Sequence, residues 1–263
     1  RALDYVCAAG PADRRYLLFN AVQKAKVSTE GVKVIAFVSE CIGAKGFEAD
    51  TYFEAALRDV QLIPGLEGSA HINLATAARF IPRYFGMSET NLPDPASAIL
   101  GQVTSTENPY LIEARTGGLE AIAFGPFERV FEPLASIANV RLLVRQASAF
   151  GRLARDNGLA EAPMRNTEGG LAMGQCMATI AYAQLIAENA ARLGIAKQLV
   201  SAMFHEIVLD LAAAGTALVA ESPHLNPAAR AVARQMVRIP QTAAADWDWV
   251  LERVRAFETD VGA

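Results

Sequence analysis

Leu18, Val22, Ala25, Val32, Ile35, Val38 and Ile42 recur at intervals of three, four and seven. That spacing lines one face of an α-helix, whereas a half-buried strand needs strict alternation. The long helix it predicts is entered after Pro11. It stops at Gly43, a usual helix-ending residue, and Gly46 lets the chain turn back. A short helix over 52–60 carries Arg58-Asp59 and is broken by Pro64-Gly65. The next helix starts near Gly68 and uses Leu74, Ala78, Ile81 and Phe85 as its apolar face, with Pro82 kinking or restarting it.

Periodicity lapses over 88–107, where Asn91, Pro93 and Pro95 mark a linker. Beyond it, helices are predicted over 109–122, 127–156, 168–193, 196–220, 226–237 and 243–258. Asn157-Gly158, Pro163, Pro223 and Pro240 supply the breaks. No segment alternates like a strand. The expectation is an all-α chain in two parts, 1–87 and 108–263, joined by 88–107.

A chain of 263 residues with 52% apolar and 20% charged side chains can build a sizeable core and is not disordered. Its net charge of −4, and the lack of a basic stripe with interleaved aromatics, argue against a nucleic-acid partner. Cys7, Cys41 and Cys176 are odd in number and lack metal-ligand spacing. They point to a reducing, cytoplasmic setting and to no zinc site; the mitochondrial matrix or inner-membrane surface stays open. The opening residue is Arg1, so the chain reads as a piece of a longer polypeptide whose targeting is not legible. Leu199–Ala220 is the most apolar stretch, yet it holds His205, Glu206 and Asp210. Burial in protein is expected for it, with Leu199, Phe204, Val208 and Leu211 inward.

Several motifs fail on inspection. His205-Glu206 is not a metalloprotease motif, because Leu209 stands where a second histidine must be. Trp247 and Trp249 lie two apart and cannot share a helix face closely. Met173, Met177 and Met203 read as core filler.

One segment carries chemistry. It runs through Glu40, Cys41, Ile42, Gly43 and Ala44 to Phe47, then Arg58-Asp59, then Leu66-Glu67-Gly68-Ser69 and His71. In order and spacing it resembles the catalytic segment of the acyl-CoA dehydrogenase family, over about 14–85. There a glutamine- and glycine-bearing turn meets flavin, an Arg-Asp pair follows, and a glutamate before a Gly-Thr step takes a proton. The resemblance implies that 1–87 is the last part of that family's C-terminal helical bundle. The region 108–263 resembles, in architecture, the added helical region of very-long-chain members.

The implied activity is flavin-dependent α,β-dehydrogenation of an acyl-CoA, with FAD as cofactor. Glu67 aligns with the base, while Leu66 and Gly68 align with substrate contacts. Glu40, Gly43, Ala44, Ser69 and His71 align with flavin contacts, those of the turn serving a neighbouring subunit's flavin. Glu40 and Ala44 depart from the family's amide and glycine, and His71 from its glutamine. Arg58-Asp59 reads as an ion pair that sets the approach to Glu67. The implied partners are further copies or a second subunit, and an electron-transfer flavoprotein, with membrane association left open. Because fold does not fix function, a non-catalytic partner subunit, or an acyl-CoA oxidase or flavin monooxygenase, remains open on the same residues. The flavin-holding β-domain is expected elsewhere, and apolar surface along Leu17–Ile42 is expected to be exposed and prone to associate.

Overall fold

The helical period runs through nearly every apolar segment, and the backbone follows it. The computed structural model describes residues 1–10, 13–66, 68–86, 89, 91–95, 122–156, 167–223, 225–241 and 243–261. Among them there is no β-strand, and the chain is all-α. The first part holds α1 (Ala2–Cys7), α2 (Tyr16–Ile42), α3 (Tyr52–Leu62), α4 (Ala70–Arg79) and α5 (Ile81–Gly86). The second holds α6 (Phe127–Phe131), α7 (Ala138–Asp156), α8 (Thr167–Leu193), α9 (Lys197–Ala220), α10 (Pro227–Arg234) and α11 (Ala244–Val261).

Three differences from the sequence reading have local causes. The short helix α1 is too brief to show a period. The helix expected over 127–156 is two helices, because Pro133 lies in a 3-10 turn, Glu132–Leu134, and has no N–H to donate. Phe80 ends α4, and Pro82 sits in the first turn of α5, where its missing N–H costs nothing. The helix expected over 109–122 lies, but for Ile122, outside the described residues, as does most of the linker 88–107.

The core is built around α8. Met173, Cys176, Met177, Ile180 and Ala181 on it are fully buried. Helices α4, α9 and α2 pack against it. The first half of α2 contributes Leu18, Phe19 and Val22, and α9 contributes Phe204, Val208 and Leu211. Residues from 1–87 and from 108–263 thus share one apolar cluster. Leu199 is the exception among the four α9 residues expected inside, at 37% exposed. Both α8 and α9 are long and apolar enough to cross a membrane, but their most apolar windows are 78% and 44% buried within this fold.

The α8–α4 contact is unusually close. A Cβ at Gly174 would stand 2.3 Å from the Leu74 carbonyl oxygen, so only glycine fits. Elsewhere polar side chains fasten the layers. Asn139 donates to the carbonyls of Ser201 and Gln241 and accepts from the Gln241 N–H. One heptad on, Gln146 donates to the carbonyls of Val208 and Met236. Together these two α7 residues pin α9 and the segment after α10. Lys26, almost fully buried, pairs with Asp210 at 2.7 Å and joins α2 to α9.

Beyond Ser28, α2 extends past this core with α3 beside it. Val34 is 57% exposed and Phe37 66%. Phe47, Tyr52, Leu62 and Ile63 are also exposed. Apolar exposure along 17–42 is therefore confined to positions from Val27 onward, because Leu18, Phe19 and Val22 lie under α4 and α8.

Two glycines in helix interiors should respond oppositely to alanine. Gly174→Ala gains helix propensity, worth up to about 1 kcal/mol, but drives its methyl into the Leu74 backbone and should lose about 1–3 kcal/mol net. Gly31→Ala meets only Val60 Cγ2 at 3.8 Å and should be neutral or stabilising by about 0.5–1 kcal/mol. Thermal unfolding checks both; a Gly174→Ala protein as stable as wild type would contradict the close approach.

Candidate functional site

Helix α3 runs back along α2 as the second arm of a hairpin. Lys24 Nζ donates to the Ile63 carbonyl at the base, Gly31 faces Val60 midway, and Ser39 lies under Gly46 near the tip. This geometry distributes the residues singled out in the sequence. Glu40 is exposed in the last turn of α2. Gly43 caps the helix at φ +73°, a conformation that favours glycine, and nothing would meet a Cβ there. Ala44 follows, exposed, in the 3-10 turn Gly43–Phe47. These three form one group at the hairpin tip.

The second group lies at the base. Leu66 is exposed just after the 3-10 turn Ile63–Gly65. Glu67 lies outside the described residues. Gly68 has φ +96°, half-buried Ser69 precedes the first turn of α4, and His71 is exposed within that turn. Lys24 marks the base and Gly43 the tip, so at 1.5 Å per residue the two groups are separated by about 28 Å along α2. The structure brings Leu66, Gly68, Ser69 and His71 together and keeps Glu40, Gly43 and Ala44 apart from them.

Arg58 and Asp59 are exposed on α3. Arg58 binds Glu54 at 3.2 Å and Asp59 at 3.5 Å. These are surface pairs of small energetic value.

Asn73 was not singled out in the sequence. Its side-chain amide donates to the Gly68 carbonyl at 2.9 Å and to the Ser69 carbonyl at 3.1 Å. It ties the loop after position 67 to the first turn of α4. The available signal was an Asn one helical turn after a Gly-Ser step, where a side chain can reach back to the loop.

An apolar groove of about 420 Å³ opens between α2 and α3, lined by Lys24, Val27, Gly31, Val60 and Ile63. A second, polar cavity of about 210 Å³ lies elsewhere, among Tyr5, Arg15, Arg129, Gln184 and Glu188. Its inner wall is already satisfied. Glu188 accepts from Arg1, Tyr5 and Gln184, and Tyr84 donates to Gln184. Burial, then the charge of Glu188, holds the Tyr5 and Tyr84 hydroxyls well above their ordinary range, so both remain donors. Burial opposes the Arg1 charge, but hydrogen bonding to Glu188 and attraction to it outweigh burial and raise its pKa. Burial also raises the Cys176 thiol, which leaves it inert. Among the described residues no cluster of three metal-ligating side chains occurs.

No family model, curated protein or solved structure matches this chain.

Two measurements address these contacts. Asn73→Ala removes both carbonyl bonds and should lower stability by about 1–2 kcal/mol, with faster amide exchange over 68–70; unchanged exchange would deny the clamp. For the tyrosines, the folded pKa lies above the unfolded value of 10.0. The protonated hydroxyl is favoured in the fold, so this stability is complete below about pH 10 and falls as pH rises further. Tyr84→Phe should flatten that alkaline loss in chemical unfolding. An identical alkaline slope in wild type and variant would contradict it.

Proposed function

We propose that this chain is the helical part of a flavin-dependent acyl-CoA dehydrogenase. The observation that carries this reading is the layout of the hairpin. A long helix ends at a left-handed glycine, a short helix returns, and a second left-handed glycine introduces the next helix beside the position of Glu67. The order of residues through that layout is the order that the acyl-CoA dehydrogenase resemblance implies.

In this reading the substrate is an acyl thioester. The apolar groove beside Ile63 lies within one helical turn of Leu66 and offers an aliphatic lining of a volume that suits a small ligand. Glu67 takes the proton next to the thioester carbonyl, a task for a single carboxylate whose pKa is raised in a water-poor pocket. Asn73 holds the carbonyls that follow it. Gly68, whose φ of +96° other side chains would strain, is in this reading the residue whose bare backbone meets the substrate.

The residues fit FAD at its edges. Gly43 presents open backbone, and Ser69 and His71 present side chains able to donate a hydrogen bond at the start of α4. Bound FAD would supply the acceptor for the β-hydride. The separation of Gly43 from Ser69 agrees with their serving the flavins of two different subunits. The β-domain that holds the flavin ring in that family would come from the same polypeptide or from a partner.

A second reading has its own observation. The exposed carboxylate of Glu40 stands one turn before Gly43, and like charge beside a pyrophosphate is unfavourable. This favours a partner subunit that keeps the fold without the cofactor.

The absorption spectrum of the protein purified with its natural partners separates the two readings. A flavin spectrum is expected for the enzyme, and a colourless complex would support the partner subunit. In the flavin-loaded protein, Glu67→Gln should lower turnover of acyl-CoA by at least about a hundredfold while leaving acyl-CoA binding intact. Near wild-type dehydrogenation in the variant would overturn the assignment.

A further inference from the structure

Among the described residues no layer covers one face of the second half of α2, and the pattern on that face is specific. Val27, Glu30, Val34, Phe37 and Cys41 follow each other at alternating steps of three and four. This is the a/d spacing of a helix seam that packs against another helix. Val27, Val34 and Phe37 are 49%, 57% and 66% exposed, and Cys41 is exposed as well. Along one edge of the stripe stand Lys33 and Glu40, one heptad apart and both exposed, with Lys33 also bonded to Glu30 of its own helix at 3.0 Å. The other edge is occupied by α3, through Gly31 and Val60.

The occupant that these charges fit is a second copy of the same helix, running antiparallel. Centre a two-fold axis between Val34 and Phe37. Val34 of each copy then packs on Phe37 of the other, and each copy's Glu30 sits beside the other's Cys41. In the same register Lys33 of each copy faces Glu40 of the other, twice by symmetry. Such an isologous contact is self-complementary and closed. In a parallel pair this edge of each copy would face the α3-side edge of the other, so Lys33 would meet Val38 in place of Glu40.

We propose that the chain self-associates through this face, as an antiparallel α2 pair seated on Val34 and Phe37 and registered by Lys33 and Glu40. The seam requires no flavin and does not depend on the dehydrogenase reading.

Sedimentation velocity of the 263-residue chain tests it, with circular dichroism and thermal unfolding as folding controls. A dimer is expected at concentrations up to about 0.1 mM. Phe37→Asp should give a monomer of unchanged helicity that still unfolds cooperatively, since Phe37 lies outside the core. Lys33→Glu or Glu40→Lys alone places like charges together at both ends and should weaken the dimer about tenfold. The double variant exchanges the charges and should return to within about twofold of wild type. A monomeric wild type, a dimer indifferent to Phe37→Asp, or a double variant no tighter than the singles would each overturn the proposal.

Discussion

Everything in this fold is arranged around the contact of α8 with α4. Gly174 lets the Leu74 carbonyl come so close that any side chain would collide with it. With the two backbones in contact, small residues on either side, Ala77, Ala78, Ala178 and Ala181, are fully or almost fully buried. Larger groups are pushed to the edges of the seam. There Phe80 and Tyr84 meet Phe124, and Met173 and Met177 fill what remains. The pairing is non-local, uniting a helix from the first part with one from the second. Neither part closes its core without the other.

Around this apolar centre, the polar side chains that matter act on backbone. Asn139 and Gln146 bind carbonyls of α9 and of the segment that follows α10, and Asn73 binds those of Gly68 and Ser69. A side-chain amide can donate to two acceptors at once. One such residue therefore fixes a register that apolar packing alone would leave free to slide. Glu188 does the converse, collecting donors from α1 and α8 onto one carboxylate. These groups carry little net energy individually, since water would satisfy them in the unfolded chain. Removing one partner leaves the other buried and unpaired, which is how they enforce a single arrangement.

The helices were legible because the apolar period is strong: α8 and α9 lie within a residue of their expected bounds, and α2 ends where Gly43 predicts, although it starts at Tyr16, several residues after Pro11. The break at Pro133 was missed because the apolar pattern continues across it, and period outweighed the proline. The close approach at Gly174 was not legible, since a glycine in a helical pattern does not say which backbone comes near. At the candidate site, the glycines at 43 and 68 were read from the turns they mark, and both have positive φ. The distance between them was hidden. Sequence order places Gly43 and Ser69 in one motif, but a hairpin arm as long as the second half of α2 stands between them in space. Asn73 was hidden for a related reason: its importance lies in carbonyls that any residue would provide.

That separation bears on what a single chain can do. Residues at the tip of the hairpin and residues at its base cannot both touch one reacting centre, because the α2 rise between them exceeds any side chain's reach. If both groups are functional, they serve different bound molecules or different subunits. The stripe of Val34 and Phe37 lies between them on the same helix, and it is apolar where a solvent-facing helix would be polar. A helix arm covered on one side by α3 and left apolar on the other suits an assembly in which each copy supplies part of its neighbour's site. In such an arrangement the tip of one hairpin and the base of another can approach one ligand, which the fold of one chain forbids.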